Sequence, residues 1–140
     1  MATYTLTAAN VIATSGSQDG GVAGETLAAG DLVYLKAADS RLWKADANVT
    51  AAEAALKGIC LNGGAAGQPI ALANAGIVTV QLAAFTLIGG LMALSPTAGK
   101  MMDIDDQVNG EYVTEVGYII SATTFMLRIK ATGLVAAGII

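Results

Sequence analysis

Short runs in which apolar and polar positions partly alternate recur along this chain, each bounded by glycine, asparagine, aspartate or serine. Gly76-Ile77-Val78-Thr79-Val80-Gln81-Leu82 is one such run, with the period of a half-buried strand. From residue 25 onward, turn signals fall roughly every 8–12 residues, the spacing of an all-β barrel or sandwich. The pattern predicts strands over Asp31–Lys36, Arg41–Asp46, Lys57–Leu61, Pro69–Ala73, Ile77–Leu82, Leu91–Leu94, Lys100–Ile104, Tyr112–Ile120 and Phe125–Lys130. One segment reads differently. Thr50-Ala51-Ala52-Glu53-Ala54-Ala55-Leu56-Lys57 opens on a capping residue, places Glu53 three positions later, and is filled with alanine. That predicts one short helix, or a single helical turn.

The first 24 residues differ from the rest. They hold Thr, Ala, Ser and Gly with scattered Val and Ile, and lead into Ser15-Gly16-Ser17-Gln18-Asp19-Gly20-Gly21, a permissive loop signal. Residues 1–24 are expected to form an extended N-terminal arm plus turn that contributes one strand, the alternative being an ordinary first strand of the barrel, and residues 25–140 a single β-barrel domain. Within the arm Thr3, Thr5 and Thr7 alternate with Ala2, Tyr4 and Leu6, so a strand is chemically available.

A weak internal repeat runs through the remainder. Residues 30–42 read as strand, small turn, strand, and residues 90–102 repeat that shape without a gap. After a spacer, each hairpin is followed by a Gly-led strand, Gly58-Ile59-Cys60-Leu61 or Gly117-Tyr118-Ile119-Ile120, and then by another strand. The expected fold is therefore mainly β: a small barrel or sandwich built of two hairpin-rich units around one core, with one short helix and the arm.

Composition changes this picture in one direction. The chain is 54% hydrophobic but only 13% charged, and its apolar residues are mostly Ala, Val, Leu and Ile, with 17 Gly and 1 Trp among 140 residues. A surface so poor in charge is weakly defended against association, so part of it is expected to be covered by a partner. The net charge of −4 and the 7 dispersed basic residues argue against a phosphate backbone as that partner. No charged residue lies between Gly58 and Gly99, yet Asn62, Gln68, Pro69, Asn74, Gln81 and two Gly-Gly pairs interrupt the stretch. It contains no run of about 20 apolar residues, so a buried sheet is expected rather than a membrane span.

The chemistry available is narrow. With no His, the commonest general base, the Ser-His-Asp and Cys-His arrangements and most zinc sites are missing. The lone Cys60, flanked by Ile59 and Leu61, reads as a small core residue. Asp103 and Asp105 match the first positions of an EF-hand loop, but Val108 stands where Gly is needed and Thr114 where the bidentate Glu belongs. The acidic run through Asp106 therefore reads as a solvated turn. Gly99-Lys100 fails as a phosphate loop, since Leu94 replaces its first Gly and Met101 its Ser or Thr. No cofactor, metal or catalytic residue is expected. Trp43 shares a strand face with Arg41 and Ala45; it could cover one end of the core or anchor an interface. Met1–Leu6 lacks the basic and apolar regions of a secretory leader, so the expected place of synthesis is the cytoplasm, and the sequon Asn48-Val49-Thr50 reads as accidental.

Several of these segments together resemble a known family. Ala28-Ala29-Gly30-Asp31-Leu32-Val33-Tyr34-Leu35, a small-residue turn and Arg41-Leu42-Trp43-Lys44-Ala45 are followed by Leu56-Lys57-Gly58-Ile59-Cys60, the turn Gly64-Ala65-Ala66-Gly67-Gln68-Pro69-Ile70, and Ala75-Gly76-Ile77-Val78. This order is similar to that of the phage capsid cement proteins over about residues 24–82, with an echo over 88–130. In the family pattern the hairpin follows the Gly-x-Val strand, whereas here it precedes it. The lambda-type head decoration proteins are similar in role and in their Thr- and Gly-rich arms. The resemblance implies a non-enzymatic virion protein that binds the outer face of a phage head and stabilises it. It further implies the major capsid protein as partner, self-association as a dimer or trimer there, and no role for nucleic acid or membrane. The interface is expected to involve Thr3, Tyr4, Thr5, Leu6, Val11 and Ile12 of the arm, with Trp43. A β-rich tail or fibre module is the competing expectation, but such a module should carry aromatic or polar recognition loops, and these loops are Ala and Gly.

Overall fold

The computed structural model describes residues 12–13, 18–79, 88–108 and 110–135. Residues 1–11, and with them Thr3, Tyr4, Thr5, Leu6 and Val11, lie outside the described residues, as does the end of the strand expected to reach Leu82.

Eleven strands and one short helix make up the described fold: β1 (Ile12–Ala13), β2 (Gln18–Val22), β3 (Leu32–Lys36), β4 (Arg41–Lys44), α1 (Ala51–Ala54), β5 (Gly58–Cys60), β6 (Pro69–Ala73), β7 (Ala75–Thr79), β8 (Leu91–Leu94), β9 (Met101–Asp103), β10 (Tyr112–Ser121) and β11 (Thr124–Val135). They form two antiparallel sheets. A five-stranded sheet runs β2-β6-β5-β3-β4, and a six-stranded sheet runs β1-β7-β11-β10-β8-β9. Each contains the same unit. In both, the first strand of the unit lies beside the fifth, followed by the fourth, second and third. In both, a helical turn separates the third strand from the fourth, α1 in the first unit and a 3₁₀ turn at Ile104–Asp106 in the second. The duplication suggested by the two hairpins is therefore a duplication of topology, β2–β6 matched by β7–β11, with β1 added at the outer edge of β7.

The core lies between the sheets. Leu32, Tyr34, Ile59 and Ala73 from the first sheet meet Val78, Met92, Leu94, Val116, Ile119, Phe125 and Leu127 from the second, all buried. Burying a side chain of Leu or Phe size contributes about 1.5–3 kcal/mol, so this layer is what holds the sheets face to face. The arrangement is sandwich-like, and neither sheet closes into the barrel that was the other expectation for residues 25–140. The first sheet comes nearest to closing. Its edges meet where Ala23 forms one parallel bridge with Leu42 and the Gly24 N–H donates to the Leu42 carbonyl at 2.8 Å.

α1 follows its sequence signals. The Glu53 N–H donates to Thr50 Oγ1 at 3.2 Å, and the Thr50 hydroxyl donates to the Glu53 carboxylate at 3.3 Å. The helix is tied to the opposite unit by Thr114, whose buried hydroxyl donates to the Ala54 carbonyl. Several segments differ from expectation: β7 begins at Ala75 rather than Ile77, β9 spans Met101–Asp103 with Ile104 already in the 3₁₀ turn, and three further differences are larger. Gln18-Asp19-Gly20-Gly21, read as loop, is edge strand β2, because five residues pair with β6 and tertiary pairing overrides weak local preference. Gly21 also suits the site, since a Cβ there would lie 2.8 Å from Leu42 Cδ1. Strand β4 stops at Lys44 rather than Asp46, whose carboxylate instead accepts the Asn48 N–H at 3.1 Å. Strand β11 runs on through Ala131-Thr132-Gly133 to Val135, held by pairing with β10 and by the Thr132 hydroxyl donating to the Val113 carbonyl at 2.7 Å.

The two units are also joined backbone to backbone. The Leu32 N–H donates to the Gly99 carbonyl at 2.9 Å, the Gly99 N–H to the Ala45 carbonyl at 2.8 Å, and the Tyr112 N–H to the Ala47 carbonyl at 2.6 Å. Gly99 makes this approach at φ +78°, a left-handed conformation that favours glycine. Lys100 and buried Asp31 reinforce the junction at 3.9 Å.

Candidate functional site

The outer faces of the two sheets carry the functional question. In the first sheet, Val33, Leu42, Cys60, Ile70 and Leu72 point away from the main core. They are buried under Ala23 and Leu27, from the segment that follows β2. That segment is pinned by Leu27 and Gly64, whose N–H groups donate to each other's carbonyls at 2.8 and 2.9 Å. Burial drives the Cys60 thiol up to about 12, with the nearby Asp31 carboxylate adding to the shift. The thiol is thus neutral and inert at ordinary pH, the small core residue that its apolar neighbours suggested.

In the second sheet, the corresponding direction is partly open. Leu91, Tyr118, Met126 and Ile77 lie side by side across β8, β10, β11 and β7 in one register row. Leu91 is 43% exposed and Ile120, further along β10, 40%. Beside the row, Glu115 pairs in register with Lys130, and Arg128 lies between Met126 and Lys130 on the same face of β11. Leu91, Glu115, Gly117, Tyr118, Arg128, Ile129 and Lys130 line a cavity of about 360 Å³. Gly117 is required in its wall: a register shift occurs there, and any Cβ would collide with the Met126 carbonyl. Among the described residues, the ion pairs are Lys57 with Asp19 and Lys100 with Asp31. Glu115, Arg128 and Lys130 belong to neither. This face can seat apolar side chains flanked by both signs of charge.

Trp43 is partly buried and makes several contacts within the chain. It packs against the inter-sheet core, pairs across strands with Tyr34, and donates its indole N–H to the Asp39 carboxylate at 3.1 Å. The Lys36 ammonium lies 4.6 Å from its ring centroid, within cation–π range. Gly24 lies so close that a Cβ would strike the ring. Tyr34 beneath it has its hydroxyl pKa raised, first by burial and then by the carboxylates of Glu53, Asp39 and Glu25. Ile12 of the arm pairs with Thr79 of β7, in the sheet to which Trp43 does not belong.

Thr114, which stands where an EF-hand loop needs Glu, donates its hydroxyl to the Ala54 carbonyl. No group of three or more His, Cys, Asp or Glu is placed to hold a metal among the described residues. Likewise, no helix among them is long and apolar enough to cross a membrane. The residues that sequence reasoning missed are Leu91, Tyr118 and Met126. The available signal was that β10 and β11 each alternate with apolar residues on both faces, so one apolar set was bound to face outward. No family model matches this chain, and no curated protein matches it as a relative.

Proposed function

We propose that this chain is a non-enzymatic virion structural protein, a cement or decoration protein that binds the outer surface of a phage capsid and stabilises it. The observation that carries the reading is the pairing of a compact two-sheet fold with exposed apolar positions in a chain of only 13% charged residues. Leu91, Ile120 and Leu134 are among those positions, Leu134 being 70% exposed. Such a surface suits permanent coverage by neighbouring subunits better than life as a free monomer. The segment-by-segment resemblance to cement proteins supports the same reading. The partner is the major capsid protein, the copies associate with one another on the head, and neither nucleic acid nor membrane takes part.

In this reading the N-terminal arm supplies the capsid contact. A segment whose sequence holds Tyr4, Leu6, Val11 and Ile12 with no charge before Asp19 can add a strand to a neighbour's sheet edge through main-chain hydrogen bonds. Ile12 and Ala13 already pair in this manner with Thr79 and Val78 of their own chain. Deletion of residues 2–16 spares β2, which begins at Gln18. The truncated protein is expected to stay folded by circular dichroism and to lose binding to purified heads in a co-sedimentation assay. Binding at unchanged occupancy would remove the arm from the contact, and failure of the full-length protein to bind heads would remove the capsid reading itself.

A further inference from the structure

We infer that the open outer face of the six-stranded sheet is a self-complementary contact for a second copy of this chain, related by a two-fold axis. Two observations carry this. The first is the match between the units. The outer face of the first sheet is sealed by Ala23 and Leu27, whereas the equivalent face of the second leaves Leu91, Tyr118 and Met126 at least partly accessible. The second is the charge layout. Glu115 on β10 and Arg128 and Lys130 on β11 border the same cavity, and none takes part in an ion pair of the described chain. A patch that holds both signs beside an apolar row is complementary to itself under two-fold rotation. The Glu115 of one copy then faces Arg128 and Lys130 of its mate, while the Leu91–Tyr118–Met126 rows stack between them.

The contact is narrow. Four strands at about 4.8 Å spacing give a face well below the roughly 800 Å² per partner of a standard stable complex. The dimer is therefore weak in dilute solution and populated where copies are crowded. This names the surface for the self-association proposed above, and its test does not involve heads, so the two readings can fail separately.

The test is sedimentation equilibrium of the full-length protein from about 10 µM to 1 mM, the range in which so small an interface should associate. A reversible monomer–dimer equilibrium is expected. Glu115→Lys alone, and the pair Arg128→Glu with Lys130→Glu, should each weaken association at least tenfold, because like charges then meet across the axis. Mixing the two variants should restore it, since each opposing pair again has opposite signs. Both sites are at the surface, and matching melting curves establish that the variants are folded. A wild-type protein that is monomeric throughout, a trimer, or a dimer indifferent to both swaps would overturn the inference. So would variants that fail to recover on mixing.

Discussion

The same strand order is used twice in this molecule with opposite outcomes on the outside. In the first unit, the segment after β2 folds back across its sheet and makes Val33, Leu42, Cys60, Ile70 and Leu72 a second buried layer. In the second unit, Leu91 and Ile120 remain exposed, and charged residues share a cavity with Leu91. Topology alone therefore does not decide which faces of a sheet are interior. The covering segment does, and side chains of closely similar character become core in one unit and partly exposed surface in the other.

The comparison can be broken most forcefully by charge. Leu72→Asp places a carboxylate in the sealed layer, where an unpaired buried charge costs several kcal/mol. That variant is expected not to fold. Leu91→Asp, at the open face, should change stability by less than about 1 kcal/mol and leave the circular dichroism spectrum intact. Equal damage from the two would mean that the second face is sealed as well.

A second effect reads burial through pH. The Cys60 thiol stays protonated in the folded protein up to about 12, against 9.0 for its ordinary value. Because the folded pKa is raised, its contribution is fully present below the ordinary value. Stability is then lost as the pH climbs from about 9 toward 12, where the unfolded chain alone can ionise the thiol. The three-unit difference corresponds to about 4 kcal/mol at the top of that window. Denaturant titrations should show a steeper alkaline decline for the wild type than for Cys60→Ala. Parallel slopes would place the thiol in contact with water.

The smallest effect lies on the exposed rim of the first sheet, where Lys57 and Asp19 pair at 3.3 Å. The Asp19 carboxylate is lowered first by the Gly20 N–H and then by Lys57. Its contribution is therefore present at neutral pH and fades as acid protonates the folded form. Lys57→Ala should leave the denaturation midpoint nearly unchanged, as loss of one partner of an exposed pair does. A larger loss would show that the edge β2 depends on this contact.

How far the fold was legible follows from which forces act locally. Pro69–Ala73 and Leu91–Leu94 were placed to the residue, because glycine, proline or small polar residues flank short apolar runs there. The cap at Thr50 was equally plain, since its partner Glu53 lies one turn away. Gln18–Val22 was not, because two glycines hide a strand that only its pairing with β6 creates. The outer face of β10 and β11 was hidden for a related reason. Tyr118 and Met126 look like any core residues along the chain, and only their partial exposure in the fold sets them apart. Trp43 carried an ambiguous signal, because its contacts with Asp39 and with the backbone of Gly24 are made by the fold and not by neighbours in sequence.

The junction at Gly99 has a consequence for how the chain reaches its final state. The Leu32 N–H and the Ala45 carbonyl, both in the first unit, find their partners only in a turn more than fifty residues later in the sequence. Neither half can complete its hydrogen bonding during synthesis until that turn has emerged, so folding waits on a long loop closure and should be slow for a chain of this size. Two separately made halves, cut between β6 and β7 at Asn74, are accordingly expected to be poorly structured apart and to assemble when mixed, each serving as the template on which the other folds.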